Sequence, residues 1–172
     1  MSYPIGTPGK PWTDADKKAW LELQSVKRSY REDVVSQLDA LSTLFEIEQY
    51  GALSYDSDKY PLYILKSKQW QADKPTVLVT GGVHGYETSG VHGALAFAKD
   101  KAKDYFAEFN ILVAPCISPW GYETINRWNP NATDPNRSFY ADSPAEESAA
   151  IMQYLADNAI APYVHIDLHE TT

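Results

Sequence analysis

Cysteine is almost missing from this chain. The single one, Cys116, excludes an internal disulfide, and its place in the apolar run 111–117 reads as a buried free thiol rather than a nucleophile. Positive charge is scarce: 15 Lys and Arg stand against 23 Asp and Glu, a net charge of −8. A nucleic-acid partner is therefore not expected, because phosphate recognition needs a basic face, and neither is binding to an anionic membrane surface. No apolar run approaches the length that spans a bilayer, and Met1-Ser2-Tyr3-Pro4 lacks the basic and apolar stretches of a leader. A soluble, cytoplasmic protein is the expectation. Internal repeats and low-complexity tracts are also lacking. What remains is 172 residues, 44% of them hydrophobic, enough for one domain with its own core.

Residues 1–12 carry Pro4, Pro8 and Pro11 and read as an extended arm. Thr13 or Asp14 can cap a helix beginning near Ala15, and Trp20, Leu23, Val34, Leu38, Leu41 and Leu44 form a broken helical stripe, read as two helices. The alternation over 45–50 and the run 60–66 predict strands, with Tyr55-Asp56-Ser57-Asp58 as the turn between them. Then follow strand 76–80, helix 87–99, strand 109–116, a long polar loop 118–143, helix 145–158 and strand 163–169. This alternation implies a mixed, mostly parallel α/β sheet with helices on both faces. Ligands of such sheets gather beyond the carboxyl ends of the strands.

Two histidines fall at such ends. His84 and Glu87 lie three residues apart on a glycine-opened turn, Gly81-Gly82-Val83-His84-Gly85-Tyr86-Glu87, where strand meets helix. His169 closes the later run Val164-His165-Ile166-Asp167-Leu168-His169. Two imidazoles and one carboxylate, with a fourth position open, suit a catalytic zinc; the plainer alternative is that His84 and Glu87 decorate a turn. The loop 118–143 holds Arg127, Asn136 and Arg137, residue types that recognise carboxylates, although loop arginines also pair with local acids such as Glu123 or Asp142.

In their order along the chain, His84-Gly85-Tyr86-Glu87, Asp134-Pro135-Asn136-Arg137 and Asp167-Leu168-His169 resemble the M14-type zinc metallocarboxypeptidases, a clan that includes succinylglutamate desuccinylase and aspartoacylase. The resemblance covers roughly residues 76–172, and one departure is visible: Ser118-Pro119-Trp120-Gly121 stands where the family often has Asn-Pro-Asp-Gly. It implies a carboxypeptidase-like sheet and one zinc or other divalent ion held by His84, Glu87 and His169. It also implies that Asp134 orients His84, that Asn136 and Arg137 bind a substrate carboxylate, and that Arg127 stabilises an oxyanion. Asp134 could instead be a plain turn residue before proline, and Arg127 a surface arginine. His92 is expected to pack or face solvent, and His165 to be a buried, hydrogen-bonded histidine; Asp167, on the same strand face, could support His169.

The implied activity is hydrolysis of an amide bond beside a free carboxylate, on a peptide or an N-acyl amino acid. In the resembling family the general base is a glutamate on a strand beyond the third ligand, and no position here matches it. Glu170 neighbours His169 but should point to the opposite face, and Glu123 could serve as the base only if the loop 118–143 carries it to the site. The chain therefore reads as a C-terminally truncated copy with an incomplete sheet. An N-acyl amino acid deacylase, a non-catalytic module binding zinc and peptide C-termini, and an ordinary α/β domain are the rival readings.

Overall fold

The computed structural model describes residues 5–170. Residues 1–4 of the expected arm lie outside it. Thr13 caps the first helix, α1 (Asp14–Glu22), through a reciprocal capping box with Asp16. Trp20 is the buried residue of α1, whereas Leu23 sits at its C-terminus and is 67% exposed, outside the expected stripe. A helical run follows: a π-turn at Arg31–Val35, α2 (Ser36–Leu38) and a 3₁₀ turn at Asp39–Leu41. It buries Val34, Leu38 and Leu41 against the core, while Leu44, the last of the stripe, follows the run and is partly buried against the same cluster.

Five strands form one sheet in the order β1-β2-β4-β3-β5: β1 (Phe45–Ala52), β2 (Pro61–Ser67), β3 (Thr76–Gly81), β4 (Asn110–Ala114) and β5 (Val164–Leu168). β1–β2 and β2–β4 are antiparallel, and β3 runs parallel to both β4 and β5. Alternation on the strands divides the core. Val79, Val113 and Leu65 face one layer with α3 (Thr88–Asp100), while Leu78, Leu112 and Ile64 face the other with Ile151 and Tyr154 of α5 (Glu146–Asp157). Helices thus cover both faces, as the strand-helix alternation implies.

Two features differ from the sequence reading. The loop 118–143 opens with a fully buried helix, α4 (Pro119–Thr124), hidden from periodicity because every one of its residues is buried. And β5 lies at the sheet edge, with Val164 and Ile166 38% and 45% exposed, which leaves His165, expected to be buried, exposed as well. No helix among the described residues is long and apolar enough to cross a membrane.

Aromatic packing ties the N-terminal third to the loop 118–143. Trp128 meets Trp12 and Trp20 edge-on, with ring centroids 5.7 and 5.8 Å apart, and Trp20 also packs on Trp120 at 5.9 Å. Cys116 is buried beneath, and burial pushes its thiol far above the ordinary range, as fits an inert core residue.

Candidate metal centre

The centre forms where β3 and β5 end side by side. Beyond β3, Gly82 adopts φ +62°, a left-handed conformation that turns the chain across the sheet. Gly85 then comes so close to α4 that a Cβ there would lie 2.1 Å from the Tyr122 nitrogen. Only glycine permits this approach, which packs the turn on α4. The turn closes with the Glu87 N–H donating to the His84 carbonyl at 3.1 Å. Glu87 is the N-cap of α3, yet its carboxylate makes no cap hydrogen bond. It lies between two imidazoles instead.

Oε1 of Glu87 is 2.8 Å from Nδ1 of His84, and Oε2 is 2.6 Å from Nδ1 of His169. The other nitrogen of each ring meets an aspartate: His84 Nε2 is 3.0 Å from Asp134 Oδ1, and His169 Nε2 is 2.7 Å from Asp167 Oδ2. Ligand atoms of His84, Glu87 and His169 lie within 4.8 Å of one another. This donor set fits a cation. If the Nε2 protons are directed at the aspartates, both Nδ1 lone pairs converge on the carboxylate, and a divalent ion there would supply the positive charge that otherwise requires a second proton on each ring.

The electrostatics agree in sign. Burial acts to raise the Glu87 pKa, but hydrogen bonds from His84, the Glu170 N–H and His169 hold it below the ordinary value. Desolvation acts to lower that of His169, and Glu87 and Asp167 more than offset it, holding the imidazolium above the usual histidine range. Burial acts to raise Asp134 as well, yet His84 and Arg127 draw it down.

The succinylglutamate desuccinylase/aspartoacylase catalytic domain matches residues 73–172. The chain belongs to this family. Among curated relatives it is 28% identical over 130 residues to carboxypeptidase 2 of Trichophyton tonsurans, and 26% identical over 133 residues to that of Trichophyton rubrum. The chain spans 24% of the length of each of these relatives, while the matched stretches take in 69% and 71% of the chain. Among solved structures it resembles the metallo-carboxypeptidase of Burkholderia cenocepacia, with a TM-score of 0.69 at 19% identity over 81% of this chain and 40% of that one. It also resembles the metallo-carboxypeptidase of Pseudomonas aeruginosa, solved with (2-guanidinoethylmercapto)succinic acid, with a TM-score of 0.63 at 15% identity over 82% and 40%. These structures share its fold.

In this family member the remaining singled-out residues fall into place unevenly. Asp134 caps the 3₁₀ turn Pro135–Arg137, accepting from the Asn136 N–H at 2.9 Å, and its Oδ2 accepts from Arg127 Nε at 3.0 Å. Arg127 thus pairs with Asp134 rather than with Glu123. Asn136 is half-buried, and Arg137 is exposed with no ion pair among the described residues. His92 is exposed and lies 3.3 Å from the Tyr122 hydroxyl, away from the ligand cluster. His165 is hydrogen-bonded as expected, to Thr80 Oγ1 at 2.8 Å, but it is exposed because β5 forms the sheet edge.

Neither glutamate weighed as a general base is free. Glu123 is 3% exposed and accepts from the Tyr30 N–H, the Tyr60 hydroxyl and Lys59 Nζ at 3.0, 2.9 and 2.6 Å. Glu170 caps α3 instead, accepting from the Ser89 N–H at 3.1 Å. Two further contributors complete the centre, one weighed from the sequence and one missed. Asp167 was legible in the Asp167-x-His169 spacing, which puts both side chains on one strand face. Thr80, which donates to Asp167 Oδ1 at 2.7 Å, gave no signal, because its partner is 87 residues away.

Proposed function

We propose that this chain carries the metal centre of a zinc-dependent hydrolase that cleaves an amide bond next to a terminal carboxylate, in the manner of a metallocarboxypeptidase. The convergence of His84, Glu87 and His169, with each imidazole backed by an aspartate, is the observation that carries this reading. When bound, the ion would polarise the carbonyl under attack and lower the pKa of a water molecule. The protein's part is to keep both Nδ1 atoms unprotonated and fixed. Asp134 and Asp167 do so by accepting the Nε2 protons, which also raises the basicity of the ligands. Asn136 and Arg137 would grip the substrate carboxylate and so position the adjacent bond. Arg127, oriented by Asp134, would offer its terminal nitrogens to the developing oxyanion.

The family match favours a second reading, a deacylase of small N-acyl amino acids, built on the same centre and the same carboxylate clamp. The engagement of Glu123 and Glu170 elsewhere favours weak turnover by these 172 residues, down to a purely binding role. One experiment separates the readings: metal-stripped chain is titrated with zinc, then with an N-acyl dipeptide, its C-terminal amide and N-acetylaspartate. One equivalent of zinc and zinc-dependent binding of the free-acid dipeptide support the peptidase reading. Preference for N-acetylaspartate supports the deacylase. Absence of saturable zinc uptake, or equal binding of acid and amide, contradicts the proposal.

A further inference from the structure

The metal-bearing turn is held from outside by a residue of the N-terminal segment, upstream of residues 73–172 that match the family. Arg28 follows α1 in an irregular stretch that is itself pinned to α4: the Lys27 N–H donates to the Glu123 carbonyl at 2.8 Å, and the Tyr30 N–H to the Glu123 carboxylate at 3.0 Å. Between these anchors the half-buried Arg28 side chain reaches the turn. Its Nη2 donates to the Gly85 carbonyl at 2.8 Å, its Nη1 to the Thr88 hydroxyl, and its Nε to the Tyr122 carbonyl at 2.5 Å. The guanidinium carbon lies 3.7 Å from the centre of the Tyr122 ring.

Each of these contacts is next to a ligand or to the surface that supports one. The Gly85 carbonyl directly follows His84, and Thr88 directly follows Glu87. Tyr122 belongs to the α4 backbone against which Gly85 is packed. One planar cation therefore joins the His84 side of the turn, the Glu87 side and the helix beneath. Arginine can do this because its donors point in fixed, divergent directions within one plane while its face stacks on an aromatic ring; lysine keeps the charge but lacks both properties. We propose that Arg28 is a positioning residue of the metal centre, presetting the separation of His84 and Glu87 so that zinc binds without reordering the turn.

The inference rests on the metal-centre reading above, and its test keeps the two apart. Zinc affinity is measured by chelator competition for the unsubstituted chain, Arg28→Ala, Arg28→Lys and Tyr30→Phe, together with melting temperature and the visible spectrum of the cobalt-loaded forms. Tyr30→Phe removes the hydroxyl bond to the Pro61 carbonyl, 2.8 Å long, and so perturbs the same segment without touching the turn. Arg28→Ala is expected to lose about tenfold or more in zinc affinity, the usual effect of removing a group that orients ligands. Its cobalt spectrum should change, and added guanidinium ion should restore part of the affinity. Arg28→Lys should also bind zinc more weakly despite its charge, and it serves if Arg28→Ala does not fold. Tyr30→Phe should keep its zinc affinity whatever its melting temperature. The inference is overturned if the Arg28 variants bind zinc within twofold of the unsubstituted chain, or if Tyr30→Phe loses as much affinity as they do. Failure of the unsubstituted chain to bind zinc overturns the metal-centre reading itself.

Discussion

Asp167 and His169, two residues apart on β5, meet at 2.7 Å, and Asp134 meets His84 in the corresponding way at 3.0 Å. Each of these imidazoles therefore has its own carboxylate, although the two aspartates come from unrelated parts of the chain. Asp167 is in turn held by the Thr80 hydroxyl, so β3 and β5 fix this pair jointly.

Removing either carboxylate should weaken metal binding without emptying the site. Asp134→Asn and Asp167→Asn are each expected to lower zinc affinity about 10- to 100-fold, measured by chelator competition. Asp134→Asn should have the wider effect, because it also frees Arg127 and loosens the turn at Pro135–Arg137.

Zinc affinity should fall in acid. Protonated imidazole cannot ligate, and the His169 pKa is held above the ordinary 6.5, so protons compete with the metal from above that pH downward. Affinity measured across pH should drop by about tenfold per unit for each proton displaced. In the metal-free chain the same pair acts on stability. The raised His169 contribution is present in full below 6.5 and lost as pH rises through its folded value. The lowered Glu87 contribution is present above 4.5 and lost as pH falls through its folded value. Unfolding of metal-stripped protein should therefore show a contribution from this contact that is largest between those limits, and His169→Ala should remove it.

Glu123 is expected to matter chiefly for folding. Glu123→Ala strands the buried Tyr30 N–H and Tyr60 hydroxyl, at about 1–3 kcal/mol for each unpaired donor. The Lys59 contact adds little, since that side chain is 40% exposed. Urea unfolding should show the loss, while the zinc affinity of the folded fraction falls less than in Arg28→Ala, because the Lys27 N–H still holds the Arg28 segment through the backbone carbonyl of residue 123. A Glu123→Gln chain that folds normally yet loses zinc-dependent turnover would count against the structural role.

Glu147 gives a stability change of the opposite pH sense to Glu87. It is fully buried on α5, and burial raises its pKa above 4.5 even though the Tyr55 hydroxyl and the Asn129 amide both donate to its carboxylate. Its stabilising contribution is present below 4.5 and lost as pH rises through the folded value. Relative to Glu147→Gln, the unsubstituted chain should therefore lose stability as pH rises through that range, read from urea midpoints. Because Asn129 Oδ1 also accepts from the Asn131 and Thr133 N–H groups, the substitution should loosen the approach to Asp134 as well.

The parts legible in the sequence are those whose determinants are local. The strand-turn-helix from Thr76 to Asp100, the Thr13 cap and the ends of β5 all follow from periodicity, capping chemistry and glycine placement within a few residues. The three candidate ligand residues could be singled out because two share one turn and the third ends a strand. What stayed hidden depends on contacts distant in sequence. Arg28 looks like any loop arginine until Gly85, 57 residues later, folds against it. Glu123 could be weighed as a base only while Tyr30 and Tyr60 were unplaced. The buried α4 lacks the polar face that marks an amphipathic helix. The edge position of β5, and hence the exposure of His165, depends on strand order, which no local pattern encodes.

The most direct test of the account is X-ray absorption at the zinc edge on the zinc-loaded 172-residue chain, compared with its His169→Ala form. The account expects one zinc per chain with two imidazole nitrogens at about 2.0–2.1 Å and oxygen in the remaining positions, and the loss of one imidazole in the variant. A spectrum with fewer than two imidazoles, or one that His169→Ala leaves unchanged, would contradict it.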